Sequence, residues 1–227
     1  MDTILEYAPL LAGGTATTVL LFLCAAVFAT LMGALGAAGK LAAGRAWRWL
    51  VMGYTTLVRG VPELLLILLI YFGGQRGINQ IGDAFGFDYI ELSKFAAGVF
   101  ALGFIYGAYL TETFRGAYMT VPTGQRDAAK ALGFTTAQTL RLITLPQLVR
   151  FALPGYFNVL QVMIKATAVV SIIGLADLVG LAGDVGKSVR QPFSFYMLVF
   201  FIYLGFTILL TEVFSRVEKR YSRGLDR

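Results

Sequence analysis

Two long stretches without a charged residue, residues 7–39 and 191–211, constrain the fold of this chain more than any other feature. Each is at least as long as the roughly 20 apolar residues that a helix needs to cross a bilayer. Only 14% of the 227 residues are charged, about half the share of ~25% that is usual in soluble domains. The bilayer is therefore part of the solvent for this protein.

Five apolar segments are predicted to span the membrane as α-helices. Their approximate bounds are 15–37, 50–72, 95–114, 154–178 and 193–214. Segments of this length without strict alternation favour a helical bundle over a barrel, because backbone amides in hydrocarbon must be bonded internally. Gly103 and Gly107 have a GxxxG spacing, which fits either a close helix seam or the ordinary glycine enrichment of membrane helices.

Basic residues are concentrated in alternate connections between these segments. The connections 38–49 and 115–153, together with the tail after 214, hold 13 of the 19 Lys and Arg. By the positive-inside rule, the N-terminus is predicted outside and the C-terminus inside. The net charge of +6 is explained by these inner loops, so we expect contact with membrane lipid and not with nucleic acid.

The residue types that the chain lacks exclude most catalytic functions. There is no histidine, and the one cysteine, Cys24, lies within an apolar run. A His/Cys metal cluster, a Ser-His-Asp triad and a disulfide framework are therefore excluded within this chain. No GxxxxGK[ST] phosphate loop is present either. We expect no enzyme activity, no metal and no cofactor in this chain.

The inner loop 121–150 is predicted to contain two short helices joined at a glycine. The first helix, about 125–132, ends at Gly133, a residue suited to the left-handed conformation after a helix. The second begins at Thr135, which can form a capping box with Gln138, and is predicted to end near Pro146.

The surface of the first loop helix is suited to docking. Asp127 is predicted near its start, where the helix dipole favours negative charge, while Ala128 and Ala129 present small side chains. A second interpretation is that the two helices simply rest on the lipid surface.

Ionisable residues within the predicted spans are costly in hydrocarbon, so each is expected to face a cavity or a partner. They are Arg59, Glu63, Glu112, Lys165, Asp177 and Glu212. Arg59 and Glu63 are four residues apart and are predicted either to pair on one helix face or to contact substrate. Glu112 and Glu212 lie near inner helix ends, where they can snorkel or pair with Arg115 and Arg216.

The fourth segment carries a polar stripe. Asn158, Gln161 and Lys165 are spaced i, i+3 and i+7, which places them near one helix face. Either this stripe lines a substrate pathway, or its side chains form hydrogen bonds between helices.

Several runs of the sequence resemble one transporter family. Residues 124–133, 145–147 and 153–154 resemble the EAA loop of ABC-importer permeases, with Asp127 where the family usually has Glu. Residues 54–63, 103–116 and 160–171 are similar to the polar amino-acid permeases, and within them to the Q-type subunits of the histidine/lysine/arginine/ornithine and opine importers. The likeness covers nearly all of residues 1–227, which are read as a single permease domain.

The resemblance implies an inner-membrane subunit of a bacterial amino-acid importer, most specifically one for basic amino acids. Opine, glutamine and other polar amino-acid importers are the alternatives, and a stand-alone secondary transporter or channel subunit is an alternative of another class. The implied partners are an M-type permease, two ATPase subunits that bind ATP and Mg, and a periplasmic binding protein. The residues implied to couple to the ATPase are Gly124, Asp127, Ala128, Ala129, Gly133 and Pro146.

One position departs from the family pattern. Many relatives carry an acidic residue directly after the asparagine of the fourth span, whereas Asn158 is followed by Val159. If the substrate is cationic, its charge is then expected to be met by the M-type partner, in an asymmetric heterodimer.

Overall fold

The computed structural model describes residues 2–42 and 44–222, and in these ranges all regular secondary structure is helical, as the sequence predicted. The α-helices are α1 (Asp2–Glu6), α2 (Ala8–Ala42), α3 (Arg45–Gly60), α4 (Glu63–Ala84), α5 (Lys94–Thr120), α6 (Thr123–Ala131), α7 (Thr136–Gln138), α8 (Leu145–Val170), α9 (Leu178–Ser188) and α10 (Pro192–Ser222). A π-helix (Thr139–Thr144) joins α7 to α8, and a 3-10 turn (Ser171–Ile173) follows α8. Arg223 and Arg227, used above to predict topology, lie outside the described residues.

Five helical segments are long and apolar enough to cross a membrane, which agrees with the predicted number. They are Ala8–Leu41, Glu63–Ala84, Lys94–Thr120, Thr136–Ile173 and Pro192–Tyr221. Most extend well beyond the predicted bounds, because a helix can continue into the headgroup region once its apolar part has crossed the hydrocarbon.

The second predicted span, 50–72, is wrong as a single helix. The chain breaks between α3 and α4, where Val61 is extended at φ −110° and ψ 140°. Pro62 explains the break, because a proline pushes the residue before it out of the helical region. The helix long enough to span is therefore α4 alone, while α3 is amphipathic and buries only one face.

The helices α2 and α5 form the largest helix contact, and glycines make it possible. A Cβ at Gly103 would overlap the ring of Phe28, and one at Gly107 would lie 2.7 Å from the Cβ of Met32. The GxxxG pair of α5 is therefore a close packing seam, of the kind that lets membrane helices approach each other.

The loop after α5 contains the predicted helix–glycine–helix arrangement. Gly133 adopts φ +83°, and the amide of Phe134 donates to the carbonyl of Ala129 at 3.0 Å. The capping box is formed: Thr135 Oγ1 accepts from the Gln138 amide at 3.2 Å, and Gln138 Oε1 accepts from the Thr135 amide at 2.8 Å. We call the end of the bundle that contains this loop the α6 end. The opposite end, which contains α9 (Leu178–Ser188), is called the α9 end.

Two details of this loop differ from prediction. The helix α6 begins at Thr123, so Asp127 lies in its second turn and not at its start. In addition, Ala129 is 4% exposed, whereas its neighbour Ala128 is exposed. Successive helical residues turn by about 100°, so the two alanines cannot share one face.

The second loop helix does not end at Pro146, which is a further correction. From Thr136 the helix runs through the π-helix and α8 to Ile173, so the fourth span begins long before residue 154. The amide of Leu145 bonds the carbonyl of Leu140, five residues back. This wider turn gives the proline ring room that an α-helix interior lacks.

Asp177 lies beyond the fourth span, at the α9 end. Its Oδ1 accepts from the Gly180 amide at 3.0 Å and caps α9, while Thr18 of α2 accepts from the Leu178 amide. The residue is fully buried, and Oδ2 has no hydrogen-bond partner among the described residues. Burial raises the pKa of the Asp177 carboxyl to about 6, against the opposing effect of the backbone hydrogen bonds.

Candidate functional site

A cluster of polar and aromatic side chains surrounds the break between α3 and α4. The Arg59 guanidinium lies 5.4 Å from the ring centroid of Tyr109, and the Tyr106 hydroxyl donates to Glu63 Oε2 at 2.8 Å. Tyr106 is 2% exposed and Tyr109 is 37% exposed, so the cluster extends from the core to the surface. Arg59 and Glu63, both described, do not form the predicted ion pair; each contacts α5 instead.

The break itself explains why the predicted pair is absent. Arg59 belongs to α3 and Glu63 to α4, so the i, i+4 geometry of one continuous helix does not apply. Arg59 is exposed and Glu63 is half-buried. A guanidinium and a carboxylate can bind the carboxylate and the ammonium of a zwitterion, and helix breaks are common sites of ligand binding in transporters.

Glu112 lies in a second polar group, near the α6 end. It forms ion pairs with Lys40 of α2 and with Arg115, whose Nε is 2.9 Å from Glu112 Oε2. Lys40 also donates to Thr55 of α3 at 2.7 Å. The predicted pairing with Arg115 is confirmed, and this network favours a structural role for Glu112 in joining α2, α3 and α5.

The stripe on α8 forms a third group. Gln161 donates to Thr211 of α10 at 3.0 Å, so part of the stripe does form a hydrogen bond between helices. Asn158 and Lys165 are exposed, and neither has a hydrogen-bond or ion-pair partner within the described part of the chain. These two side chains are therefore available to a partner subunit or to substrate.

The three groups are separate within the described residues, since no hydrogen bond or ion pair joins one to another. Sequence reasoning missed Lys40, Tyr106 and Tyr109 as members. Lys40 directly follows the charge-free run of α2, and a single cation at that position could have indicated a partner carboxylate on another helix. The only sequence signal from Tyr106 and Tyr109 is their i, i+3 spacing, which is common in apolar helices.

The loop presents a small outer surface. Gly124, Ala128 and Leu132 are exposed, with Leu132 at 78%, while Ala129 is buried. Asp127 is exposed and turned toward a cavity behind α6. Within the described ranges, no three His, Cys, Asp or Glu residues are placed to hold a metal ion.

Comparison with known proteins gives a consistent result along the chain. Residues 25–223 match the family model described as "Binding-protein-dependent transport system inner membrane component". The chain is 48% identical over 214 residues to the histidine/lysine/arginine/ornithine transport system permease protein HisQ of Salmonella typhimurium, covering 94% of each chain. It is 41% identical over 219 residues to the nopaline transport system permease protein NocQ of Agrobacterium fabrum, covering 95% of this chain and 92% of the relative.

Solved structures agree with the fold. A crystal structure of an amino acid ABC transporter with histidines superposes with a TM-score of 0.82 at 32% identity, covering 96% of each chain. The MetNI methionine ABC transporter, in an inward-facing conformation, matches with a TM-score of 0.75 at 18% identity, which supports the fold alone.

Proposed function

The chain belongs to the family of binding-protein-dependent transport system inner membrane components, and on that premise we propose that it is the permease subunit of an ATP-driven importer of basic amino acids. The observation that carries the proposal is the 48% identity to HisQ across 94% of both chains. The 41% identity to NocQ makes an opine the second candidate substrate.

The complete importer requires other subunits. An M-type permease would form a heterodimer with this chain, two ATP-binding subunits would hold ATP and Mg, and a periplasmic binding protein would deliver the amino acid. The lack of a GxxxxGK[ST] loop in this sequence supports ATP hydrolysis in a partner. Coupling between hydrolysis and transport would then be mechanical.

The orientation we propose places the N-terminus and α9 in the periplasm, and the α6 end and the C-terminus in the cytoplasm. The basic residues support it, since the α6 end carries Lys40, Arg115, Arg126 and Lys130, among others. This orientation puts the loop on the side where ATP is available.

The path of coupling would run from α6 to α8. The exposed residues Gly124, Ala128 and Leu132 would contact the ATPase. Asp127 would lie at the edge of this surface toward the cavity, and Gly133 would set the angle between the two loop helices. Because the helix is continuous from Thr136 to Ile173, a displacement of the loop would tilt the helix that carries the polar stripe.

The substrate would bind near the middle of the bundle. Arg59 and Glu63 would contact the α-carboxylate and α-ammonium that all amino acids share, and Lys165 would offer a cation elsewhere along the pathway. Val159 leaves this chain without an acid after Asn158, so the M-type partner would supply the carboxylate for a cationic side chain. The substrate site would therefore be asymmetric.

Coupling through the loop can be tested with Gly133→Val. A β-branched side chain disfavours the observed φ of +83°, so we expect ATPase association or stimulated hydrolysis to fall while the permease still inserts. Gly116→Val is the matched control, since Gly116 has an ordinary helical conformation and no atom within 4 Å of an added Cβ. Wild-type coupling in the Gly133→Val complex would mean that the loop is only a linker resting on lipid.

A further inference from the structure

A cavity of about 920 Å³ lies behind the loop at the α6 end. It is lined by the C-terminal parts of α2 and α5, the N-terminal part of α8, the helix α6 and the π-helix. The volume is within the range of roughly 300–1,000 Å³ that is typical of ligand pockets. None of the polar groups proposed for substrate lines it.

The walls of the cavity are apolar and belong to two membrane spans. Ala34 and Ala38 of α2, one turn apart, contribute only methyl groups and are both exposed. Leu148, Val149 and Leu153 of α8 line the same space. Ala34 and Ala38 lie within the charge-free run of α2, so an apolar chain that enters beside them would remain against apolar helix surface.

The mouth of the cavity is basic. Arg126 and Lys130 line it one turn apart on α6, with Asp127 as the one carboxylate among the described lining residues. Arg126 is half-buried, lies 4.9 Å from the ring centroid of Tyr118 and donates to its hydroxyl at 2.6 Å. No carboxylate forms an ion pair with it in the described part of the chain, so this guanidinium lacks a counter-ion.

The π-helix contributes an unsatisfied hydroxyl to the lining of the cavity. Thr139 is 5% exposed, lines the cavity, and its Oγ1 has no partner among the described residues. The buried threonines Thr18, Thr111 and Thr167 each donate to a carbonyl three or four residues back. Buried polar groups are normally satisfied, so the Thr139 hydroxyl is expected to bond a polar group inside the cavity, such as a headgroup oxygen or a water molecule.

We propose that this cavity binds one acyl chain of an anionic phospholipid, whose headgroup phosphate contacts Arg126 and Lys130. The apolar walls fit the chain, and the net positive mouth favours an anionic headgroup over a zwitterionic one. A water-soluble anion would pair with the basic residues at the mouth but would leave the apolar walls exposed to water. The lipid would lie between α2 and α8 and support the loop from the side opposite its outer surface.

The test is native mass spectrometry of the complete permease complex, delipidated and then titrated with phosphatidylglycerol or phosphatidylcholine. We expect one tightly bound phosphatidylglycerol for each copy of this chain, and weak binding of phosphatidylcholine. Ala38→Phe, which places an aromatic ring in the apolar part of the cavity, should abolish the tight binding. Leu35→Phe is its control, because Leu35 is 66% exposed and does not line the cavity.

A second pair of variants tests the mouth without filling the cavity. Arg126→Gln and Lys130→Gln should each weaken phosphatidylglycerol binding about fivefold, since one basic residue near an anionic headgroup contributes ~1 kcal/mol. Arg141→Gln, at an exposed arginine that does not line the cavity, should leave binding unchanged.

Three results would overturn the proposal. One is equal phosphatidylglycerol binding by the wild-type and Ala38→Phe complexes. Another is competition by oleate as effective as that of phosphatidylglycerol, which would assign the cavity to a single-chain carboxylate. The third is lipid binding to the isolated chain that is lost in the complex, which would assign the cavity to a partner subunit.

Discussion

The ion pair between Lys40 and Glu112 is expected to contribute to the free energy of unfolding at the α6 end of the bundle. Glu112→Gln keeps the side-chain volume but removes the charge that Lys40 and Arg115 share. The Lys40 and Glu112 side chains are 11% and 21% exposed. Removing one partner of a buried pair costs about 3–5 kcal/mol, and of an exposed pair about 0–1 kcal/mol. Because both side chains keep some access to solvent, we expect a loss of about 2–3 kcal/mol in the free energy of unfolding.

The assay is SDS-induced unfolding of the purified chain in mixed micelles. Both tryptophans, Trp47 and Trp49, lie on α3 near this network, so their fluorescence reports on the same region. In a double-mutant cycle with Lys40→Met, the two losses should be less than additive, since each variant breaks the same contact.

Glu212→Gln is the matched control for this experiment. It breaks the pair between Glu212 and Arg216, whose side chains are 57% and 75% exposed, respectively. The free energy of unfolding should fall by about 0–1 kcal/mol. Equal losses for Glu112→Gln and Glu212→Gln, or full additivity in the cycle, would refute the reasoning.

Three further predictions follow from single residues. Since the folded-state pKa of Asp177 is raised from 3.8 to about 6, the wild-type chain should lose thermal stability relative to Asp177→Asn as pH rises through this window; melts of both proteins over this range check it, and equal slopes contradict it. Lys165→Met should give an assembled complex with strongly reduced amino-acid uptake, and normal uptake would remove Lys165 from the pathway. A cysteine at Lys130, in a Cys24→Ala background, should react with an impermeant reagent only after cells are permeabilised; labelling of intact cells would reverse the proposed orientation.

Local physical chemistry explains which features of the fold were predictable. The number of spans follows from the length of apolar runs, because the hydrocarbon sets a minimum helix length. The turn at Gly133 and the capping box of Thr135 and Gln138 depend on neighbours within a few residues, so the sequence contains them in full. Each of these features was predicted and is present in the structure.

The errors concern competition between local signals and distant contacts. Pro62 breaks its helix while Pro146 does not, because only at Pro146 does a wider π-turn accommodate the ring. Glu112 meets Lys40 from 72 positions away, and Glu63 meets Tyr106 from 43 positions away. Such pairs depend on how helices pack, which a single sequence does not specify.

The measurement that tests the central proposal most directly is uptake of radiolabelled arginine by proteoliposomes that contain this chain with its partner permease and ATPase subunits. We expect uptake only when ATP is supplied on the ATPase side and the binding protein on the other side. Excess unlabelled histidine, lysine or ornithine should compete, and glutamine should not. Uptake that needs neither ATP nor the binding protein would contradict the importer function, and equal competition by glutamine would contradict the basic amino-acid substrate.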